Sequence, residues 1–134
     1  MTTVYIATPI TGVPEQNLPM VREIAKALES MGFSPIVPHD IDAPDHPGEC
    51  PEADTYPGVT GQEHGGLCYL KEDLRVMLEC GMVVAAPGWS KSRGATVEVE
   101  LAKKVGIPVR YWHPEPQAVM SVPVVSDDPR VAWR

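Results

Sequence analysis

The sequence has few cysteines, no long apolar run and no concentration of positive charge. Its three cysteines are odd in number and the N-terminus has no signal-peptide pattern, so we expect a reduced, cytoplasmic protein. Its apolar runs are far too short to cross a bilayer. Secreted, membrane-spanning and fibrous proteins are therefore excluded. What remains is an ordinary globular composition, 134 residues with 43% hydrophobic and 22% charged residues, which predicts one domain.

Negative charge predominates and is concentrated in one segment. The net charge is −7, and residues 27–70 contain eight acidic residues and neither lysine nor arginine. A protein that binds duplex nucleic acid needs a basic stripe, so we exclude nucleic acid polymers as partners. Residues 43–66 contain four prolines and five glycines, which predicts an insertion without regular structure. Such an insertion is either a lid or subunit contact, or simply a solvated loop.

The rest of the chain alternates between predicted strands and helices. Apolar, β-branched segments predict strands at 3–8, 33–39, 82–87 and 107–112. Apolar residues at helical spacing predict helices at 14–32, 67–80 and after the loop at 88–94, with Val97, Leu101 and Val105 on one stripe of the last. Gly32 occupies the place of a helix C-terminal glycine. We therefore predict a flavodoxin-like, doubly wound parallel sheet over residues 1–112, followed by a tail at 113–134 that is an edge strand or a dimer arm.

Ligands of such sheets bind beyond the carboxyl ends of the strands. The segment "PGWSKSRGATVEVELA" (87–102) leads from a predicted strand into a helix, where backbone N–H groups and the helix dipole favour an anion such as phosphate. Glu98 lies early in that helix, so we expect the dipole to keep its carboxylate ionised, whereas Glu100 faces elsewhere as a surface charge. Asp73 lies beside the apolar stripe of the preceding helix. Two carboxylates in different environments are the minimum requirement for cleaving a glycosidic bond, although a dipole-stabilising glutamate and a solvated helix aspartate are the ordinary alternatives.

The segments "VYIATPITG" and "YLKEDLRVMLECGMVVAAPGWSKSRGATVEVELAKKVGIPV" resemble the nucleoside 2-deoxyribosyltransferase superfamily, which includes the 2'-deoxynucleoside 5'-monophosphate N-glycosidases. The resemblance covers residues 3–42 and 67–112. It implies that Glu98 is the nucleophile that attacks C1' of the deoxyribose, that Asp73 assists near the sugar and base, and that Tyr5, at the end of the first strand, positions the nucleophile. It further implies substrate contacts from the following residues: Thr8, Gly12, Ser92, Gly94, Arg93 and His39. Ser92 and Gly94 occupy the places of phosphate-binding residues, which favours a 5'-monophosphate.

The chain also departs from this superfamily. Gly81 replaces an aspartate that contacts the base, and Thr11 replaces a loop arginine of the hydrolases, for which Arg93 could compensate. The alternatives are therefore a protein that binds and sequesters nucleotides without cleaving them, or a ribonucleotide phosphoribohydrolase, whose "PGG-x-GT-x-x-E" loop is faintly similar to "PGWSKSRGATVE". A metal site at Cys50, His64 and Cys68, with His46 nearby, matches no closed zinc pattern.

The resulting prediction is an enzyme that cleaves the N-glycosidic bond of a 2'-deoxynucleoside or its 5'-monophosphate. Either water or a second base accepts the sugar. The partner is this small molecule, with no membrane, no metal and no cofactor. We also expect a homodimer or a higher homo-oligomer, because the superfamily resemblance implies a site completed by a neighbouring subunit.

Overall fold

The computed structural model describes residues 1–10, 12–41, 66–113 and 124–126. Thr11, most of the predicted insertion at 43–66 and most of the tail lie outside the described residues. The described part is an α/β domain with eight main elements, in chain order β1 (Thr3–Ala7), α1 (Leu18–Ser30), β2 (Ser34–Ile36), α2 (Gly66–Met77), β3 (Met82–Ala85), α3 (Arg93–Lys104), β4 (Val109–His113) and β5 (Val124–Ser126). None of the described helices is long and apolar enough to span a membrane.

The five strands form one sheet in the order β2-β1-β3-β4-β5. The first four are parallel, with Tyr5 opposite Val83 and Val83 opposite Val109, and β5 pairs antiparallel with β4 at the edge. This order confirms the predicted flavodoxin-like sheet. After β1 the chain first adds β2 on one side of this strand and then β3 on the other, so the connections of the sheet diverge between β1 and β3. Doubly wound sheets bind their ligands at the carboxyl side of such a point.

Successive side chains of β1 point to opposite faces of the sheet and enter two different cores. On one face, Val4 and Ile6 pack with the apolar stripe predicted for α1, which is buried as expected: Val21, Ile24, Ala25 and Leu28. On the other face, Tyr5 and Ala7 pack with Met77 of α2 and with α3. The alternation therefore directs Tyr5 toward α2 and α3, the helices that contain both candidate carboxylates.

The first helix is shorter than its sequence predicted. Gly32 ends it with φ +91°, as expected, and the N–H of Phe33 donates to the carbonyl of Leu28 at 3.0 Å. At the other end, α1 begins at Leu18 rather than Pro14. The reason is the backbone of residues 15–17, three consecutive non-glycine residues with φ near +54° to +63°, a left-handed conformation that a right-handed helix cannot include.

The stripe predicted for α3 is not the face that the fold buries. Val97 and Val105 are 37% and 52% exposed, and Leu101 is only partly buried. The buried face instead consists of Ala95, Glu98, Val99 and Ala102. The helix predicted at 67–80 also places Leu78 on its apolar face, but Leu78 follows the last residue of α2 and is 48% exposed.

Candidate active site

The loop from β3 to α3 forms one wall of the predicted ligand edge. It turns at Gly88, whose φ of +82° lies in the left-handed region, and a short 3-10 turn at Trp89–Lys91 leads to Ser92, the N-cap of α3. A Cβ built on Gly88 would approach Cγ of Pro9, in the β1–α1 loop, at 3.3 Å. Glycine is thus favoured here by both its backbone angle and its neighbour. The two loops at the divergence point are in close contact through this position.

We expect Gly88→Ala to lower the free energy of unfolding by about 1–2 kcal/mol, because alanine is strained at positive φ and its methyl group would press on Pro9. Gly106→Ala is the matched control. Gly106 has a similar φ of +84°, but a Cβ there meets nothing within 4 Å among the described residues, so only the backbone cost remains. Urea unfolding measures both. Equal losses in the two variants would contradict the role of the Pro9 contact.

A buried tyrosine–glutamate pair lies below this edge. The hydroxyl of Tyr5 donates a hydrogen bond to Oε2 of Glu98, across 93 positions of sequence. Tyr5 is fully buried and Glu98 is 4% exposed. Tyr5 is the third residue of β1, so it lies in the middle of the strand rather than at its end. The contact leaves Oε1 of Glu98 as the carboxyl oxygen that Tyr5 does not engage.

Burial, rather than the helix dipole, determines the protonation of Glu98. Burial raises the pKa of Glu98 to about 8, the hydrogen bond from Tyr5 opposes the rise, and the charge of Asp73 adds to it. The expectation of a carboxylate kept ionised by the dipole is therefore wrong. Glu98 is the sixth residue of α3, beyond the first turn in which the dipole acts, and it lies on the buried face. Glu100 is exposed, as expected.

Asp73 supplies the second carboxyl group. It is partly buried on α2, and burial raises its pKa to about 7, with a smaller contribution from the charge of Glu72. Its charge also acts on both members of the buried pair, raising the pKa of Glu98 and of Tyr5. The structure thus brings Tyr5, Asp73 and Glu98 into one electrostatically coupled group.

The phenol of Tyr5 is held in its protonated form. Burial, followed by the negative charges of Glu98 and Asp73, raises its pKa well above the ordinary value. A phenol that keeps its proton remains a hydrogen-bond donor at neutral pH. Tyr5 therefore donates its hydrogen bond to the glutamate, and this bond favours the ionised form of Glu98.

The predicted phosphate-binding residues lie at the start of α3. The N–H of Ala95 donates to Oγ of Ser92 at 3.2 Å, so Ser92 caps the helix. The hydroxyl of Thr96 donates to the carbonyl of Ser92 at 2.5 Å, which fixes the same turn. Gly94 is partly buried and Arg93 is exposed. The serine hydroxyl hydrogen is not used by the cap and can point to a ligand.

Thr8 and His39 both form hydrogen bonds with residues of the β1–α1 loop. Thr8 is buried, and its Oγ1 accepts a hydrogen bond of 2.9 Å from Nδ2 of Asn17. Nε2 of His39 lies 2.7 Å from the carbonyl oxygen of Gln16. Gly12 lies exposed in the same loop with φ +78°. Sequence reasoning missed Asn17 and Gln16. Asparagine's tolerance of left-handed backbone is a weak signal for the first, and the second has none.

Gly81 lies at the opposite end of the sheet from these loops. It precedes β3, its N–H donates to the carbonyl of Thr3 at 3.0 Å, and a Cβ there would meet Thr2 at 3.1 Å. A side chain at this position would therefore contact the amino edge, away from the ligand edge.

Of the residues considered for a metal site, Cys50, His46 and His64 lie outside the described residues. The described residues contain no group of three or more His, Cys, Asp or Glu that could hold a metal ion.

Known structures share this architecture. The 2-deoxyribosyltransferase of Bacillus psychrosaccharolyticus matches with a TM-score of 0.58 at 17% identity, over 87% of this chain and 76% of that one. A conserved protein from Enterococcus faecalis V583 matches with 0.54 at 18%, over 89% and 69%. The 2-deoxyribosyltransferase of Leishmania mexicana matches with 0.54 at 13%, over 100% and 83%. The domain thus has the fold of the nucleoside 2-deoxyribosyltransferases.

The sequence itself matches a family described as a domain of unknown function (DUF4406) over residues 2–111. The chain belongs to this family. No curated protein matches the sequence.

Proposed function

We propose that this protein cleaves the N-glycosidic bond of a 2'-deoxynucleoside or its 5'-monophosphate, with Glu98 as the nucleophile. The observation that carries the proposal is the buried Glu98 carboxyl, which accepts a hydrogen bond from Tyr5 and is coupled to Asp73. A buried carboxyl group at the ligand edge costs stability and forms no ion pair in the described part of the chain. Groups with strongly shifted pKa values cluster at catalytic sites. The 2-deoxyribosyltransferases of the same fold support the choice of a deoxyribosyl substrate.

In the first step, Glu98 attacks the sugar. Its ionised carboxylate, held through Oε2 by Tyr5, forms a bond to C1' while the C1'–N bond breaks. The electron pair of that bond goes to the base, which takes a proton from the Asp73 carboxyl group. The products are free base, a deoxyribosyl ester on Glu98 and an Asp73 carboxylate.

In the second step, an acceptor releases the sugar. Water attacks C1', Asp73 takes the water proton, and the ester bond to Glu98 breaks to regenerate the carboxylate. A second base acting through its ring nitrogen gives deoxyribosyl transfer by the same route. Both reactions retain the configuration at C1', because each involves two displacements.

A substrate panel tests the function. The full chain is incubated with 2'-deoxynucleosides, their 5'-monophosphates and ribonucleoside 5'-monophosphates, each with and without an acceptor base, and free base is measured by chromatography. We expect release from the deoxy compounds, and preference for the monophosphates would implicate Ser92 and Gly94. Release from ribonucleotides alone would identify a phosphoribohydrolase. Tight binding without release would identify a sequestering protein and overturn the proposal.

The activity is expected to follow a bell-shaped pH profile. The reactive form of the pair carries one proton, on Asp73, and is the minor singly protonated form because the pKa of Asp73, about 7, lies below that of Glu98, about 8. For the pair as a whole, kcat/KM rises as the first proton is lost near pH 7 and falls as the second is lost near pH 8. Initial rates between pH 5 and 10 measure both limbs. Activity that rises without a fall up to pH 10 would contradict the role of Asp73 as proton donor.

Two variants separate the limbs of this profile. In Tyr5→Phe, the hydrogen bond that lowers the pKa of Glu98 is lost, so the alkaline limb moves above pH 8 and the maximum decreases. In Asp73→Asn, the repelling charge is removed and the pKa of Glu98 falls below 8, so a single rise replaces the bell. We also expect kcat of this variant to fall by roughly 10²–10⁴, as for loss of a general acid.

A further inference from the structure

The β1–α1 loop contains an unusual left-handed turn. Glu15, Gln16 and Asn17 have φ values of 54°, 54° and 63°, and none of them is glycine. Left-handed backbone is unfavourable for ordinary residues and rarely occurs in three consecutive positions. Such conformations persist only where surrounding contacts hold them, and they cluster at ligand sites.

Two hydrogen bonds hold this turn, and we call them together the loop clamp. The first joins Nδ2 of Asn17 to Oγ1 of Thr8 at 2.9 Å, and Thr8 directly follows β1. The second joins Nε2 of His39 to the carbonyl oxygen of Gln16 at 2.7 Å. Because a carbonyl oxygen can only accept, Nε2 of His39 must bear the hydrogen. The clamp therefore fixes the turn to β1 on one side and to the segment after β2 on the other.

The segment that contains His39 is itself anchored to α1. Asp40 accepts two hydrogen bonds of 2.6 Å from the Arg22 guanidinium, in fork geometry. The loop and its clamp thus connect three successive elements, β1, α1 and β2. They do so at the carboxyl side of the sheet, beside the point between β1 and β3 where the connections of the sheet diverge. Doubly wound sheets bind their ligands at this place.

Stability alone does not account for the position of the His39 ring. Its second nitrogen, Nδ1, is buried and has no hydrogen-bond partner among the described residues. A buried polar atom without a partner is unfavourable and calls for another explanation. The strained turn and this buried Nδ1 of His39 both lower stability, and a loop with a purely structural role could avoid them. Both observations therefore indicate a functional role for this loop.

We propose that His39 and Asn17 are positioning residues that hold the β1–α1 loop, with Pro9, Ile10 and Gly12, in the conformation that receives the nucleoside. This inference rests on the proposed function for the identity of the ligand. His39 acts through the Gln16 carbonyl and not by touching the base. Without the clamp the turn relaxes, and part of the binding energy must be used to restore it.

Three substitutions at His39 test this role by steady-state kinetics. His39→Gln places an amide nitrogen as many bonds from Cβ as Nε2, so it can still reach the Gln16 carbonyl. His39→Asn stops one bond short, at the place of Nδ1, and His39→Ala has no donor. We expect Asn and Ala to raise KM about tenfold with kcat changed less than about twofold, and Gln to restore KM. Equal KM in all variants, or losses confined to kcat, would overturn the proposal.

Amide hydrogen exchange of the ligand-free protein provides a readout that does not require activity. We expect exchange of residues 12–17 to accelerate about tenfold in His39→Ala and in Asn17→Ala but not in His39→Gln. The double variant His39→Ala/Asn17→Ala should exchange less than the product of the single effects predicts, since both bonds hold one turn. Unchanged exchange overturns the clamp, with or without turnover. If exchange is faster in His39→Ala and Asn17→Ala but the wild-type protein releases no base, the clamp stands and only the proposed function is overturned.

Discussion

Replacing Glu98 with glutamine should abolish turnover, with kcat reduced by about 10³-fold or more. Glutamine keeps the length of the side chain and an oxygen that can accept the hydrogen bond from Tyr5. What it loses is the ionised oxygen that forms the bond to C1'. Because a neutral amide is a far weaker nucleophile, the covalent step fails while the fold and the substrate contacts remain. Free base released per minute, measured on the best substrate of the panel, gives the size of the loss.

Glu100→Gln is the matched control for this substitution. Glu100 lies two positions away on the same helix and is exposed, so the same chemical change should alter kcat by less than about twofold. Rapid acid quenching of the wild-type reaction, followed by intact-mass measurement and peptide mapping, should detect one deoxyribosyl group on Glu98. The adduct should be absent from Glu98→Gln and present in Glu100→Gln. Unimpaired turnover in Glu98→Gln would refute the mechanism.

The sheet and most of its elements could be predicted because their signals are local. Each strand is a short apolar run between turn residues, and the stripe from Val21 to Leu28 faces the core as its spacing indicated. The parallel sheet with helices on both faces followed from the alternation of strands and helices. These patterns need only neighbouring residues, which is why a single sequence was sufficient for them.

The buried face of α3 could not be predicted in this way. Its valines and leucine predict an apolar stripe, but the buried face of the helix includes the small residues Ala95 and Ala102 and the polar residue Glu98. A polar residue that takes a core position shifts the apparent apolar stripe around the helix. The resemblance selected Glu98 as the nucleophile, yet the sequence gives no indication of its burial. Its partner Tyr5 is 93 positions away, so its environment forms only through tertiary packing.

The left-handed turn of the β1–α1 loop had no usable signal for a similar reason. Glu15 and Gln16 favour helices, and Pro14 is a good first helical residue, so local propensity extends α1 toward Pro14. The hydrogen bond from His39, 23 positions further on, opposes that propensity. Local preference and tertiary contact disagree here, as they do at Glu98. Both disagreements involve residues that we propose for the site, which is where local rules are expected to fail.

The second large effect is on stability and is independent of catalysis. In the folded chain burial raises the pKa of Glu98 from 4.5 to about 8 and that of Asp73 from 3.8 to about 7. At a pH between the unfolded and the folded pKa of each group, the folded chain retains a proton that the unfolded chain has released. The contribution of these two groups to the free energy of unfolding is therefore highest on the acidic side and decreases as the pH rises toward 8. For Glu98 alone the decrease is on the order of 4 kcal/mol.

We expect Glu98→Gln to remove most of this pH dependence. The glutamine is neutral at every pH, so the variant should match the wild type near pH 5 and exceed its melting temperature by roughly 10 °C at pH 8. Thermal unfolding at a series of pH values measures the difference, and Glu100→Gln should follow the wild type throughout. Parallel curves for wild type and Glu98→Gln would show that the carboxyl group is not held in its neutral form. If Glu98→Gln is inactive and also more stable than the wild type at pH 8, the carboxyl group that lowers stability is the same group that the proposed reaction requires.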